Sequence, residues 1–388
     1  MRAFRILQQA LAPILGFVHN KRLNAVLWAV QSLMYGRRLS LTAIGRAARG
    51  RSYTKHAIKR ADRLLGNRKL HTEIILFFHA TALWVLRGKR RPVILVDWTR
   101  FEPGHAILAA AVPVDGRALT IYSEVHPLSK LSKPSVHKHF LHKLRKILPT
   151  ECRPIIVTDA GFLNPWFREI QNMGWDFIGR LRGRRLMRPT LSDGQWVYLK
   201  SLFPKAALQA KDLGGWCITP SNLFEARLVI GRRPDKKKTV IRGQNRQRKA
   251  RERATEPWLL ATSLEEESAA KIERFYKTRM QIEETFRDTK NHRFGWSFRQ
   301  AMSRSPERIQ VLLLLATLGM LAVTLLGQAT ENAGLHRRYQ ANTVRKCRVL
   351  SLFVLGLSLL HREDDWLFTL SDLETSARTI RGKIACLD

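Results

Sequence analysis

Residues Val311 to Gly327 read VLLLLATLGMLAVTLLG, a run of 17 residues without a charge. The chain around it holds 68 Lys and Arg against 31 Asp and Glu, a formal net charge of +37. Such a run has to leave water, and two environments offer that: a bilayer or the inside of a large domain. Its length is at the lower limit for a span of about 17–25 residues, and no aromatic belt flanks it. The expectation is therefore a helix buried on every side within a large domain. A chain of 388 residues, enough for two to three domains, can supply the surrounding core.

The middle of the chain alternates between strand and helix patterns. Val93 to Val96 is a short apolar run ending at Asp97. Ala106 to Val114 and Ala118 to Val125 are two further strands, joined by an Asp115-Gly116 turn. A helix is expected over Ser135 to Leu148, a strand over Ile155 to Thr158 ending at Asp159, a helix from Phe162 to Met173 and a strand from Trp175 to Arg180. Strand, strand, strand, helix, strand, helix, strand describes a mixed sheet with helices against it, as in the ribonuclease H fold.

Before this region, residues 1–88 read as helical and basic. Arg22 to Tyr35 has helical spacing. Ser40 or Thr42 can cap a helix through Arg46, and Ser52 or Thr54 a second one to Leu65. The second helix carries Lys55, His56, Lys59, Arg60 and Arg63, which suits either a recognition helix in a DNA groove or the basic surface of a helical bundle. Residues 183–254 hold short strand-like pieces, Trp196 to Tyr198 and Ala226 to Ile230, and turn strongly basic over 232–253. That stretch reads as a β-rich insertion whose end is an arm ordered by DNA. Trp258 to Thr262 returns as a strand, and a helical tail follows the apolar run.

The charge implies a polyanionic partner, with an anionic membrane surface as the alternative. Cys152, Cys217, Cys347 and Cys386 form no CxxC pair and no zinc spacing, as expected of inert thiols in a reducing compartment. Met1 to Val18 is interrupted by Gln8, Gln9 and Pro13 and does not read as a signal peptide.

Glu267 to Lys290 contains no Gly or Pro and reads as one helix. At about 100° per residue, Arg279, Glu283 and Lys290 fall within roughly 60° of Tyr276. A carboxylate flanked by two cations and a phenol suits a metal ion beside a phosphate. Asp97 and Asp159 each end an apolar strand, where side chains of an open α/β sheet gather. Together with Glu283 they can hold a pair of divalent cations. Each also has a plainer reading: Asp159 as a helix cap, Glu283 paired with Arg279, Lys290 as a solvated cation.

The spacing Tyr-x2-Arg-x3-Glu-x6-Lys resembles the signature of the insertion-sequence-four family of bacterial DDE transposases. With the family's transposon-ten branch the similarity extends to His56 through Asn67, Ile94 to Trp98, Asp159 to Phe162, Glu256 to Thr262, Arg279 to Asp288 and Gln340 to Arg345. The resemblance implies an α/β fold with a ribonuclease H-like catalytic core and a mainly β insertion. An α-helical DNA-binding domain precedes the core and a helical C-terminal region follows it. The boundaries are 1–88, 89–182, 183–254, 255–328 and 329–388, the last a place for dimerisation.

It further implies Asp97, Asp159 and Glu283 as metal ligands for two Mg²⁺ ions, with Mn²⁺ as a substitute. Arg180, Tyr276, Arg279 and Lys290 would hold DNA phosphates. Trp258 would stack on a flipped base, against the plainer reading of a core aromatic. The implied protein is a cytoplasmic, nucleoid-associated bacterial enzyme. It would act as a homodimer on double-stranded DNA, both element terminal inverted repeats and target, and not on membranes. A simple nuclease of the same fold, and a regulator using only the helical domain and basic arm, are the rival readings.

Overall fold

A computed structural model of the chain describes residues 2–12, 14–16, 18–101, 104–191, 194–232, 256–341 and 343–387. The expected basic arm over 232–253 lies outside them, apart from Arg232. The fold is mixed α/β, and the chain divides into two compact units. The first comprises Met1–Lys133, His142–Cys152 and Met280–Asp388; the second comprises Pro134–Leu141 and Arg153–Arg279.

The first unit opens with helices α1 (Arg2–Leu11), α2 (Asn20–Gly36), α3 (Leu41–Arg46), α4 (Thr54–Leu65) and α5 (Arg68–Val85). Ser40 caps α3, its Oγ accepting from the Ala43 N–H at 3.4 Å. Neither Ser52 nor Thr54 caps α4; Tyr53 occupies that position and makes no side-chain cap bond. Gly45 lets α3 cross α4 closely, since a Cβ there would lie 2.6 Å from Ile58 Cα.

Strands β1 (Val93–Phe101), β2 (His105–Val114) and β3 (Arg117–Pro127) follow as an antiparallel meander with β2 in the middle. Asp115 and Gly116 both have positive φ, 48° and 88°, as a two-residue hairpin turn requires. The register pairs Asp97 with Ala109 and Ala109 with Ser123, and it pairs Trp98 with Leu108 and Leu108 with Glu124. Alternation then puts Asp97, Thr99 and Ser123 on one face and Trp98, Tyr122 and Glu124 on the other.

On that second face Glu124 is buried. Its carboxylate accepts from Tyr122 Oη at 2.5 Å, Lys143 Nζ at 2.8 Å and His126 Nε2 at 2.8 Å. Burial pushes this carboxyl up, but the bonds from His126, Lys143 and Tyr122 outweigh it and hold it down at about 2.

Helix α6 (Pro134–Ile147) leads to the second unit's strand β4 (Ile155–Thr158), helix α7 (Asn164–Asn172) and strand β5 (Asp176–Leu181). β4 and β5 are parallel. Strands β6 (Leu186–Pro189), β7 (Val197–Tyr198), β8 (Lys211–Ile218), β9 (Phe224–Gly231) and β10 (Trp258–Thr262) complete a sheet of order β4-β5-β10-β9-β8-β6-β7. The β-rich stretch after residue 183 thus continues a sheet from β10 outward. Helix α8 (Ala269–Lys277) ends this unit.

The run from Glu267 to Lys290 is not one helix. After α8 the chain makes a turn at Thr278 and Arg279, and helix α9 (Met280–Lys290) begins in the first unit. The Thr278 and Arg279 N–H groups bond three residues back, to Phe275 and Tyr276, and the Thr278 hydroxyl donates to Phe275 O at 2.7 Å. Tightened turns of this kind close a helix without Gly or Pro. The expected single stripe is therefore broken up: Tyr276 lies on α8, Arg279 in the turn, and Glu283 and Lys290 on α9.

The remaining helices are α10 (Pro306–Asn332), α11 (Leu352–His361) and α12 (Leu370–Gly382). The apolar run lies in α10, which packs within its own unit against α1, α2, α5, α11, α12 and β3. Its most apolar 18 residues are 94% buried, as a central core helix requires. Glycines bring α10 and α11 into backbone contact: a Cβ on Gly327 would lie 1.9 Å from Leu352 O, and one on Gly356 2.0 Å from Val323 O.

Candidate active site

Asp97 does not end its strand. β1 continues through Trp98 and Thr99 to Phe101, paired with β2 as far as His105, so Asp97 sits in the middle. Asp97 is 8% exposed, and its Oδ1 accepts from the Trp98 N–H at 2.8 Å. The face it shares with Thr99 and Phe101 continues to Phe298, whose ring stacks on Phe101 at 4.2 Å.

Helix α9 is pinned to the edge strand β3. Thr285 is buried; its Oγ1 accepts from the Ala118 N–H at 2.8 Å and stands 3.0 Å from Ala118 O. One turn on, Asp288 accepts from Arg117 Nε at 2.6 Å. Burial raises the Asp288 carboxyl, and Arg117 opposes it. Glu283 and Lys290 lie on another stripe of the helix, about 20° apart and roughly 150° from Thr285. Lys290 Nζ donates to Thr99 Oγ1 at 2.5 Å and to Arg100 O at 2.7 Å, so it is tied to β1 rather than solvated. Glu283 is half-buried two turns before it.

The second unit gathers five of the expected residues. Asp159 follows the buried strand β4. It accepts from the Gly161 N–H at 2.8 Å in a local turn, and the N-cap of α7 is Leu163, so Asp159 is not that helix's cap. Arg180, near the end of β5, sits beside Leu260 of β10. Its Nη2 donates to Glu256 at 3.3 Å, while its Nε is buried and has no hydrogen-bond partner among the described residues. Burial lowers the Arg180 guanidinium, and Tyr276 raises it.

Tyr276, on α8, packs edge-on against the Trp258 ring at 4.9 Å, and the Arg279 guanidinium stands 6.0 Å from its centroid. Burial pushes the Tyr276 phenol up, Arg279 and Arg180 pull it down, and Asp159 pushes it up again. Tyr276 is thus within electrostatic reach of Asp159, Arg180 and Arg279, and Arg180 is within reach of Arg279. Trp258 is 5% exposed, so a base could stack on it only after its packing opens.

Sequence reasoning passed over Glu256, which pairs with both Arg180 and Arg182. It stands in a block where only the tryptophan drew a role. It also passed over Thr99, Arg117 and Thr285, whose parts depend on partners about 170–190 residues away in sequence.

The three expected metal-holding carboxylates offer oxygen donors, the chemistry that suits Mg²⁺. Among the described residues no three His, Cys, Asp or Glu form a ready cage. Mg²⁺ commonly relies on one or two carboxylates completed by water and phosphate oxygens, so the donor set fits an ion recruited with DNA.

On α4, Lys55, His56, Lys59, Arg60 and Arg63 are all exposed, while Ala57, Ala61, Leu64 and Leu65 are buried. The Arg60 guanidinium lies 4.3 Å over the Trp28 ring. Seven residues separate α3 from α4, more than the three or four of a tight helix-turn-helix.

Residues 88–321, more than half of the chain, match the family described as the transposase DDE domain. No curated protein matches the chain.

Proposed function

Because the chain belongs to the transposase DDE-domain family, we propose that it is a cut-and-paste enzyme of the insertion-sequence-four group, close to its transposon-ten branch. It binds the terminal inverted repeats of its own element and pairs two ends in a homodimer. Asp97, Asp159 and Glu283 would hold two Mg²⁺ ions. When bound, such ions activate the attacking oxygen and stabilise the leaving one.

Water attacks a phosphodiester at the element end and releases a 3′-hydroxyl. That hydroxyl attacks the opposite strand, forming a hairpin and freeing the element from flanking DNA. A second water opens the hairpin, and the 3′-ends then attack target DNA. Each step is an in-line displacement in which one P–O bond forms as another breaks, so one set of residues serves all four.

The observation that carries this reading is the group around Tyr276, whose phenol feels Arg180, Arg279 and Asp159 together. The buried Nε of Arg180, without a partner among the described residues, is a donor suited to a phosphate oxygen, with Tyr276 and Arg279 near its guanidinium. The antiparallel meander β1–β3 and the parallel pair β4–β5 support a ribonuclease H-like core interrupted by a β insertion. The exposed cations of α4 support a DNA-facing helix. In this account Lys290 and Trp258 exchange their present partners for DNA: a phosphate for Lys290, a flipped base for Trp258.

Incubating the purified protein with supercoiled DNA carrying candidate element ends, with and without Mg²⁺, tests the proposal. An excised fragment that passes through hairpin ends is expected only with Mg²⁺. Cleavage with neither hairpins nor joining would point to a nuclease, and binding without cleavage to a regulator; either result overturns the proposal.

A further inference from the structure

The second unit contains a cavity of about 510 Å³ that no residue of the candidate active site lines. Its walls come from the start of α7, from Arg184 and Arg185 after β5, and from the β8–β9 loop over Thr219 to Asn222. Among the described residues two arginines and no acid face it. Hydrogen bonds fix the walls. Asn164, 3% exposed, donates from Nδ2 to Ile218 O at 3.2 Å and Asn222 O at 2.8 Å. Arg168 of α7 donates to Leu223 O at 2.8 Å, holding the same loop.

Arg185 lies deeper than the exposed Arg184. Its Nε donates to Arg182 O at 3.2 Å, and Nη1 reaches Asn164 Oδ1 at 3.5 Å, the outer limit of a hydrogen bond. Among the described residues no carboxylate pairs with it. Burial lowers its guanidinium, and no acid among the described residues opposes that. A cation withdrawn from water without a counter-ion is costly, and an anion entering the cavity would offset the cost.

We infer that this cavity binds a backbone phosphodiester of DNA through Arg184 and Arg185, at a point separate from the phosphates undergoing chemistry. The inference rests on the proposed action on DNA. The guanidinium fork matches phosphate oxygens in pairs. The cavity falls within the usual size of ligand pockets, about 300–1,000 Å³, and so has room for a nucleotide unit. In a chain of net charge +37 the polyanion drawn to such a site is nucleic acid rather than free phosphate.

The test uses the full chain and a fluorescent duplex of random sequence, with affinity measured by anisotropy over a series of NaCl concentrations. Removing one cation that neutralises a phosphate lowers the slope of log K against log salt by about 0.9. Arg184→Ala should lower it by about one, and Arg184→Ala with Arg185→Gln by about two, at unchanged melting temperature. Arg184→Lys, which keeps the charge, should keep the slope. A wild-type slope in both Ala-containing variants overturns the pocket while leaving the transposase reading intact. Failure of the wild-type protein to bind DNA overturns both. If inorganic phosphate stabilises the wild-type protein but not the variants, and the DNA slopes agree, the site takes a free anion and the DNA assignment is wrong.

Discussion

Thr285→Val tests how Glu283 is held. β3 is the edge strand of its meander, and an edge residue leaves its N–H and C=O without a strand partner. At Ala118, 1% exposed, the Thr285 hydroxyl fills that gap, accepting at 2.8 Å and lying 3.0 Å from the carbonyl oxygen. Valine keeps the shape and removes the hydroxyl. Both Ala118 groups then stay buried and unpaired, at roughly 1–3 kcal/mol each. The hydroxyl is also 3.0 Å from Gln281 O, so its proton serves one carbonyl at a time and the expected loss is about 2–4 kcal/mol. Urea unfolding should show a lower midpoint at an unchanged slope. Thr285→Ser, which keeps the hydroxyl, should lose only about 1 kcal/mol. DNA cleavage should fall in Thr285→Val while DNA binding persists, because α9 carries Glu283. A variant within about 0.5 kcal/mol of wild type would refute the account of how α9 docks.

Gly327→Ala and Gly356→Ala should each destabilise the protein by more than about 3 kcal/mol, because the added carbon meets a backbone oxygen that cannot swing aside; equilibrium unfolding measures it. Glu124 has a depressed carboxyl, so its stabilising contribution is full above about 4.5 and disappears as pH falls toward about 2. Glu124→Gln should flatten stability across that window, by up to about 3 kcal/mol, and an unchanged profile would remove Glu124 as the source. Trp258→Ala should slow hairpin formation roughly ten- to a hundredfold beyond any effect on the first nick. Because the ring is buried on Tyr276, melting must be measured on the same sample, and equal harm to every step would leave a packing role alone.

Local chemistry made much of the fold legible. Ser40 caps α3, Asp115-Gly116 turns β2 into β3, and the uncharged run around Leu314 is the core of its unit. Contacts distant in sequence hid the rest. Asp97-Trp-Thr-Arg looks like the end of a strand because the apolar run stops, yet pairing with His105 to Ala111 carries β1 to Phe101. Nothing in Thr278-Arg279 breaks a helix by composition; the break shows only in where the N–H groups bond. For the candidate site, spacing and family resemblance nominated residues. Their partners were not legible: Thr99 for Lys290, Glu256 for Arg180 and Trp258 for Tyr276 come together only in the folded chain.

The central claim is that three carboxylates perform Mg²⁺-dependent strand cleavage while basic surfaces bind DNA. Asp97→Asn, Asp159→Asn and Glu283→Gln, each assayed for nicking of element-end DNA and for affinity by gel shift, test it most directly. The account predicts that nicking disappears in all three while binding stays at or above the wild-type level, since each change removes a negative charge beside DNA. Nicking at the wild-type rate by any one of them would contradict it.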